Sequence, residues 1–222
     1  MFGPMMRFKS GKLEIELAPI KREDMTSFVE NGGMQDYRVT RYLGRQIAPT
    51  EQCEYEWFDK QRGDQSSVCW GIYLVNNGER KLIGNTSLTS INREVMSYAV
   101  SGFLIFRPEY WGKGIATACH KARTWYACTQ IGLVQIRSAA YELNVGSSKA
   151  LEGVGYVPIF SERNVGYVDG KFVGSISYSL INPLDIQWNA WWHGDPIPSE
   201  FLSARSRTLE ALKWVGKEVS YG

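Results

Sequence analysis

The chain of 222 residues predicts an α/β fold in which a mixed, mostly antiparallel central sheet is flanked by helices and followed by a C-terminal helical extension. Three observations carry this. Between Val68 and Phe106 apolar residues recur with period two in three successive segments separated by short polar turns. From Gly112 to Gln130 the spacing becomes helical, and from Leu133 to Ile181 it returns mainly to two. Past Asn182-Pro183 the composition changes to a tryptophan-rich stretch and a last helical pattern.

Leu13, Ile15 and Leu17 alternate as a first strand that Pro19 closes, and a helix from about Lys21 to Asn31 follows with Met25, Phe28 and Val29 on its apolar face. Residues 32–49 carry Gly32, Gly33, Gly44 and Pro49 among aromatics and arginines and read as a contact-rich loop. A second helix, about Thr50 to Gln61, is expected to bury Cys53 and Trp57. Val68, Trp70, Ile72 and Leu74 then share one face of a strand, and Asn76-Asn77-Gly78 supplies the positive-φ residues of a hairpin turn. Strands at about Lys81 to Ser90 and Val95 to Phe106 complete an antiparallel meander.

In the long helix, about Gly112 to Gln130, the residues Ile115, Cys119, Ala122 and Tyr126 fall at helical spacing. A strand from Leu133 to Tyr141, a short helix at about Ser147 to Val154, and strands at Val157 to Val168 and Lys171 to Ile181, meeting across Asp169-Gly170, finish the pattern. The strands before and after the long helix can lie parallel because the helix provides the crossover. The order divides the chain into a catalytic-sized unit, residues 1–182, and an extension, residues 183–222. The extension carries Trp188, Trp191 and Trp192. Its helix, about Ser199 to Val219, shows a stripe of Leu202, Leu209, Leu212 and Val219 opposite Arg205, Arg207, Lys213 and Lys217, a pattern suited to docking or to a homodimer.

Lysine and arginine total 25 against 23 aspartates and glutamates, so no global field draws the chain to nucleic acid or to an anionic membrane. Met1 to Lys12 lacks the apolar core of a signal peptide and no stretch approaches the roughly 18 apolar residues of a membrane span, so a cytoplasmic protein is expected. Cys53, Cys69, Cys119 and Cys128 contain no Cys-x-x-Cys pair and there are two histidines, which leaves disulfides and metal sites without support. The cysteines read as small buried hydrophobes.

The sharpest local feature is Arg107-Pro108-Glu109-Tyr110-Trp111-Gly112-Lys113-Gly114-Ile115-Ala116-Thr117, between a strand and a helix. Unpaired N–H groups and the positive dipole end of a helix first turn suit a pyrophosphate, although Gly112 and Gly114 also serve as a plain strand-to-helix turn. A dinucleotide fingerprint would need a third glycine at Thr117, and a P-loop would need one at Arg107. Coenzyme A remains among the nucleotide ligands.

The string resembles the cofactor motif of the GNAT acyltransferases, Gln/Arg-x-x-Gly-x-Gly/Ala, with Gly114 at the fixed glycine, Ala116 at the last position and Trp111 in place of Gln or Arg. Its Pro-x-Tyr-Trp-Gly-Lys-Gly form is similar to the RimJ/RimL-like branch. Asn144-x-x-Ser147 followed by Leu151-Glu152-Gly153-Val154-Gly155-Tyr156 resembles a second family segment, with Gly153 replacing the common lysine. The resemblance spans about Leu13 to Ile181 and implies a GNAT-like fold and acetyl-CoA as donor. It also implies that main-chain groups of Leu104, Ile105 and Phe106 pair with the pantetheine arm. Trp111, Gly112, Lys113, Gly114, Ile115, Ala116 and Thr117 would hold the pyrophosphate, and Asn144 the pantetheine amides.

Acyl transfer to an amine further needs a polarised thioester, a neutral nucleophile and a proton for the departing thiolate. Family positions that often carry a tyrosine and a glutamate are Leu151 and Val100 here, so the usual acid and one base candidate are absent. Ser147 is the candidate acid, or else the N-cap of its helix. Glu142 is the candidate base, or else an exposed strand-end carboxylate. The acceptor pocket implied by the fold includes Tyr37, Arg38, Arg41, Tyr42 and the region Phe160 to Gly170. The expected function is transfer of an acetyl or other acyl group to a primary amine of a small molecule or a protein N-terminus; the alternative is a coenzyme A-binding sensor with weak catalysis.

Overall fold

The computed structural model describes residues 1–44, 48–93, 96–186 and 188–222, without the side chain of Asn31. Nine strands form one sheet: β1 (Met6–Ser10), β2 (Leu13–Ala18), β3 (Val68–Asn76), β4 (Glu79–Asn92), β5 (Tyr98–Ile105), β6 (Gln135–Tyr141), β7 (Val157–Val168), β8 (Lys171–Ile181) and β9 (Ser220–Tyr221). Their order across the sheet is β7-β8-β6-β5-β4-β3-β2-β1-β9. All pairs are antiparallel except β5 with β6. The helices are α1 (Thr26–Val29), α2 (Tyr37–Thr40), α3 (Glu51–Gly63), α4 (Ile115–Trp125), α5 (Val145–Glu152) and α6 (Ser199–Glu218). This is the mixed, mostly antiparallel α/β architecture that the sequence predicts.

Two hydrophobic cores lie on opposite faces of the sheet. Strand residues such as Ile15, Trp70, Ile72 and Ile83 pack with Ile115, Cys119 and Ala122 of α4 and Ala211 and Val215 of α6. Ala18, Cys69, Tyr73, Leu82 and Phe106 pack instead with Phe28 of α1 and Phe58 of α3. β3 is thus buried on both sides. The expected tight turns are present, with Asn77 and Gly78 at φ 50° and 83° and Asp169 and Gly170 at φ 50° and 77°.

Several expectations need correction. β1 precedes the first strand expected from the sequence; Met6 and Phe8 alternate into the core, but Arg7 and Lys9 shorten the visible pattern. The helix expected from Lys21 to Asn31 is one turn of α-helix between two 3₁₀ segments, Arg22–Met25 and Glu30–Gln35. In α3 the buried positions are Glu54, Phe58 and Gln61, one step away from the expected Cys53 and Trp57. Cys53 is exposed, whereas Cys69, Cys119 and Cys128 are buried. Gln61 explains part of that rotation, because its amide donates to Met1 O at 3.2 Å and Ser67 Oγ at 2.6 Å. The expected start of a strand at Val95 lies outside the described residues.

The long helix begins at Ile115 rather than Gly112, because Gly112 and Gly114 have φ of 72° and 76° and cannot be helical. Its last turn widens into a π-helical segment, Tyr126–Ile131. In α6 the inward face is Ala204, Thr208, Ala211, Leu212 and Val215, while Leu202 is exposed. Small residues let α6 approach α4 closely; of the expected stripe, Leu212 and Val219 are buried, Leu209 is half-buried and Leu202 is exposed. Arg205, expected on the solvent side, lies 5.0 Å from the Trp188 ring centroid and donates to Pro183 O at 3.3 Å.

Candidate functional site

The parallel pairing of β5 with β6 is limited to Tyr98 with Gln135, Ala99 with Ile136 and Val100 with Arg137. Beyond that point β5 stays paired with β4 as far as Ile105 opposite Gly84, and β6 stays paired with β8 as far as Tyr141 opposite Ser175. The two strands therefore part into a V within the sheet. Phe106 N–H donates to Ile83 O at 3.0 Å, and strand alternation turns the main-chain groups of Ser101, Phe103 and Ile105 away from β4, toward the gap. An edge is left there for an extended ligand to join.

Of the three residues expected to serve this edge, Phe106 has its N–H engaged and Leu104 directs its carbonyl toward β4. A Cβ on Gly84 would stand 2.1 Å from Leu104 O. Ile105 faces the gap, and its carbonyl accepts the Trp111 indole N–H at 2.9 Å. Trp111 thereby ties the loop to the strand end, a contact invisible in the sequence.

The loop reaches α4 through two left-handed glycines. Gly114 is the N-cap residue and provides no side-chain acceptor, so the first N–H groups of α4 lack a side-chain cap. Ser10 Oγ donates to Lys113 O at 3.0 Å and fixes the loop against β1. Ile115 is buried, Ala116 and Thr117 are half-buried, and Trp111, Gly112, Lys113 and Gly114 are exposed. The Lys113 ammonium lies 5.3 Å from the Tyr110 ring centroid, and Lys81, which the sequence reading missed, places its own at 5.9 Å from the same ring. Two cations thus flank the Tyr110 ring ahead of an uncapped helix N-terminus, which itself favours an anion.

At the far arm of the V, Asn144 caps α5, with its Oδ1 accepting Ser147 N–H at 3.2 Å. The expected cap role of Ser147 is therefore overturned: it sits three residues inside the cap, half-buried. Glu142 accepts Gly174 N–H at 2.9 Å through Oε1. Leu151 packs in the core, and Val100 is 38% exposed at the apex of the V.

A cleft of about 380 Å³ opens beside this arm, between the α2 segment and the β7–β8 hairpin, and includes Tyr37, Arg41, Tyr141, Tyr167 and Asp169 in its walls. Tyr37 donates to Asp169 Oδ1 at 2.9 Å, Arg41 Nη1 pairs with Asp169 Oδ2 at 3.1 Å, and Tyr42 donates to Leu143 O at 3.4 Å. Arg38 is turned away. It pairs with Asp36, whose carboxyl it holds below the ordinary carboxylate range by hydrogen bonding, and is absent from the cleft wall. Asp169 falls within the expected region Phe160 to Gly170, but the sequence marks it individually only as a turn residue.

A family model described as "Acetyltransferase (GNAT) domain" matches residues 14–157. The chain belongs to the GNAT acetyltransferase family. Solved structures similar to this member include Mycobacterium smegmatis RimJ in complex with CoA-disulfide, at 15% identity and a TM-score of 0.67 over 99% of this chain and 96% of that one. The spermidine N-acetyltransferase from Vibrio cholerae in complex with CoA and spermine matches at 19% identity and a TM-score of 0.66, over 76% of this chain and 95% of that one. The ribosomal-protein-S5-alanine acetyltransferase from Vibrio fischeri matches at 20% and 0.64, over 79% and 96%. At these identities the likeness is one of fold. No curated protein matches the sequence significantly. Among the described residues of this GNAT protein, no helix is long and apolar enough to cross a membrane and no three His, Cys, Asp or Glu side chains cluster as a metal site.

Proposed function

We propose that this GNAT member transfers an acetyl group from acetyl-CoA to a primary amine of a small molecule or a protein N-terminus. The observation that carries the reading is the V between β5 and β6, which opens beside the uncapped N-terminus of α4. Bound acetyl-CoA supplies the activated thioester. The N–H groups at Ile115, Ala116 and Thr117, with Lys113 and Lys81 alongside, bind the pyrophosphate. The Ile105 and Phe103 main chain orients the pantetheine arm, and the side-chain amide of Asn144, at the start of α5, hydrogen-bonds it from the opposite arm. Trp111 holds the loop, and the string Pro108 to Gly114 supports a place in the RimJ/RimL-like branch.

The cleft of Tyr37, Arg41 and Asp169 receives the acceptor, with Tyr42 nearby on the Leu143 carbonyl. Glu142 takes the proton of the attacking amine, directly or through water, and Ser147 donates from the α5 side. A coenzyme A sensor is the competing reading. Acceptor-dependent release of free thiol from acetyl-CoA across a panel of amines separates the two; binding of acetyl-CoA with no turnover on any amine would favour the sensor.

A further inference from the structure

Arg123 of α4 is fully buried, and among the described residues no carboxylate lies within ion-pair distance of it. A guanidinium keeps its charge in any protein interior. Here neutral acceptors hold it. Nη1 donates to Thr86 Oγ1 at 2.6 Å and Gly102 O at 2.7 Å, and Nη2 donates to Ser101 Oγ at 2.5 Å and His120 Nδ1 at 2.6 Å. His120 is itself buried and held neutral, burial and the Arg123 charge both lowering its affinity for a proton. The cluster carries one positive charge that nothing in it cancels.

Its location gives that charge a use. Ser101 and Gly102 are the first β5 residues past Val100, where β6 leaves. A ligand arm running down the open edge from Ile105 reaches Ser101 after four residues, roughly 13 Å of strand, which brings it to the apex of the V above the guanidinium. The same charge already acts on a neighbouring thiol: burial pushes the Cys119 thiol up, and Arg123 is the largest influence opposing it.

We propose that Arg123, through the apex of β5, stabilises the departing coenzyme A thiolate electrostatically, in place of the acid absent at Leu151. The inference rests on the acetyl-CoA reading. In the step, the amine nitrogen forms a bond to the carbonyl carbon, the carbon–sulfur bond breaks with its electron pair on sulfur, and the amine proton passes to Glu142 or water. The thiolate forms before Ser147 or water protonates it, and until then it faces a fixed cation in a site of low dielectric. Arg123 is a positioning and electrostatic group, with no contact to the reacting atoms required.

The test is an ultraviolet thiolate titration of coenzyme A bound to the wild type and to Arg123→Gln and Arg123→Lys. Expected is a bound thiol that ionises at least one pH unit below free coenzyme A, a tenfold larger thiolate fraction in the neutral range. The shift should persist in Arg123→Lys and vanish in Arg123→Gln while coenzyme A still binds. A wild-type thiol that titrates like free coenzyme A overturns the proposal without any variant, as does a shift that survives in Arg123→Gln. Failure of the wild type to bind coenzyme A removes the underlying reading, and the inference with it.

Discussion

Replacing Gly114 with glutamate tests the anion site at its most constrained point. Gly114 has φ 76°, a region that disfavours any residue with a Cβ by roughly 1 kcal/mol, and a Cβ there would approach Ser10 Oγ to 3.3 Å. The new carboxylate also sits at an uncapped helix N-terminus, where it returns about 0.3–1 kcal/mol. The two effects nearly offset, so the melting temperature should move by no more than a few degrees, taking roughly 2–4 °C per kcal/mol for a chain of this size. For a bound pyrophosphate the balance differs. A like charge at about 5 Å and an effective dielectric of about 20 opposes it by roughly 3 kcal/mol, on the order of 100-fold in affinity. Calorimetric titration of acetyl-CoA against both proteins, with thermal melts in parallel, measures both quantities. A folded Gly114→Glu protein that binds acetyl-CoA within about twofold of wild type would falsify the site.

Glu142→Gln keeps an acceptor for Gly174 N–H, so the fold should hold and acetyl-CoA affinity stay constant, while kcat at neutral pH falls by about 100-fold or more if Glu142 is the general base; an unchanged kcat removes it from the mechanism. Asp169→Ala releases Tyr37 and Arg41 and is expected to change the acceptor KM several-fold with the acetyl-CoA KM untouched; steady-state kinetics at saturating donor decides. Burial and the Arg123 charge keep His120 neutral in the fold, whereas the unfolded chain protonates it near pH 6.5. Protons then favour the unfolded state, and stability should fall by about 1.4 kcal/mol per pH unit below that point, an effect that denaturant melts should find flattened in His120→Gln. In α6, Ala211→Leu should cost about 1–3 kcal/mol by overpacking against α4, while Leu202→Ser should stay within about 0.5 kcal/mol of wild type. Equal effects would contradict the phase of that helix.

Most of the sheet could be read from the sequence because alternation and turn chemistry are local. Asn77-Gly78 and Asp169-Gly170 fixed two hairpins, and the glycine loop announced itself by spacing. What escaped is set by contacts distant in sequence. The phase of α3 depends on Gln61 reaching Met1 and Ser67, and the cleft beside α2 depends on Asp169 meeting Tyr37 across 132 residues. Nothing in the sequence marks Arg123; only the packed sheet shows it enclosed. Ser147 does not cap α5 because the helix starts a turn earlier than expected, with Asn144, an equally good cap residue, at the N-cap position.

The C-terminal helix bears on the site through one position. Gly155, between α5 and β7, has φ 107°, and a Cβ there would stand 2.1 Å from Thr208 Oγ1 and 2.5 Å from Ala204 O. Thr208 Oγ1 in turn donates to Val154 O at 2.9 Å. α6 therefore grips the turn that ends α5, and α5 begins at Asn144 on the open arm of the V. Close approach needs small residues on both sides, which is why Ala204 and Thr208, rather than Leu202, face inward. The rigidity of the Asn144 arm thus depends on residues about sixty positions downstream, and the C-terminal helix forms part of the support for the open arm of the V.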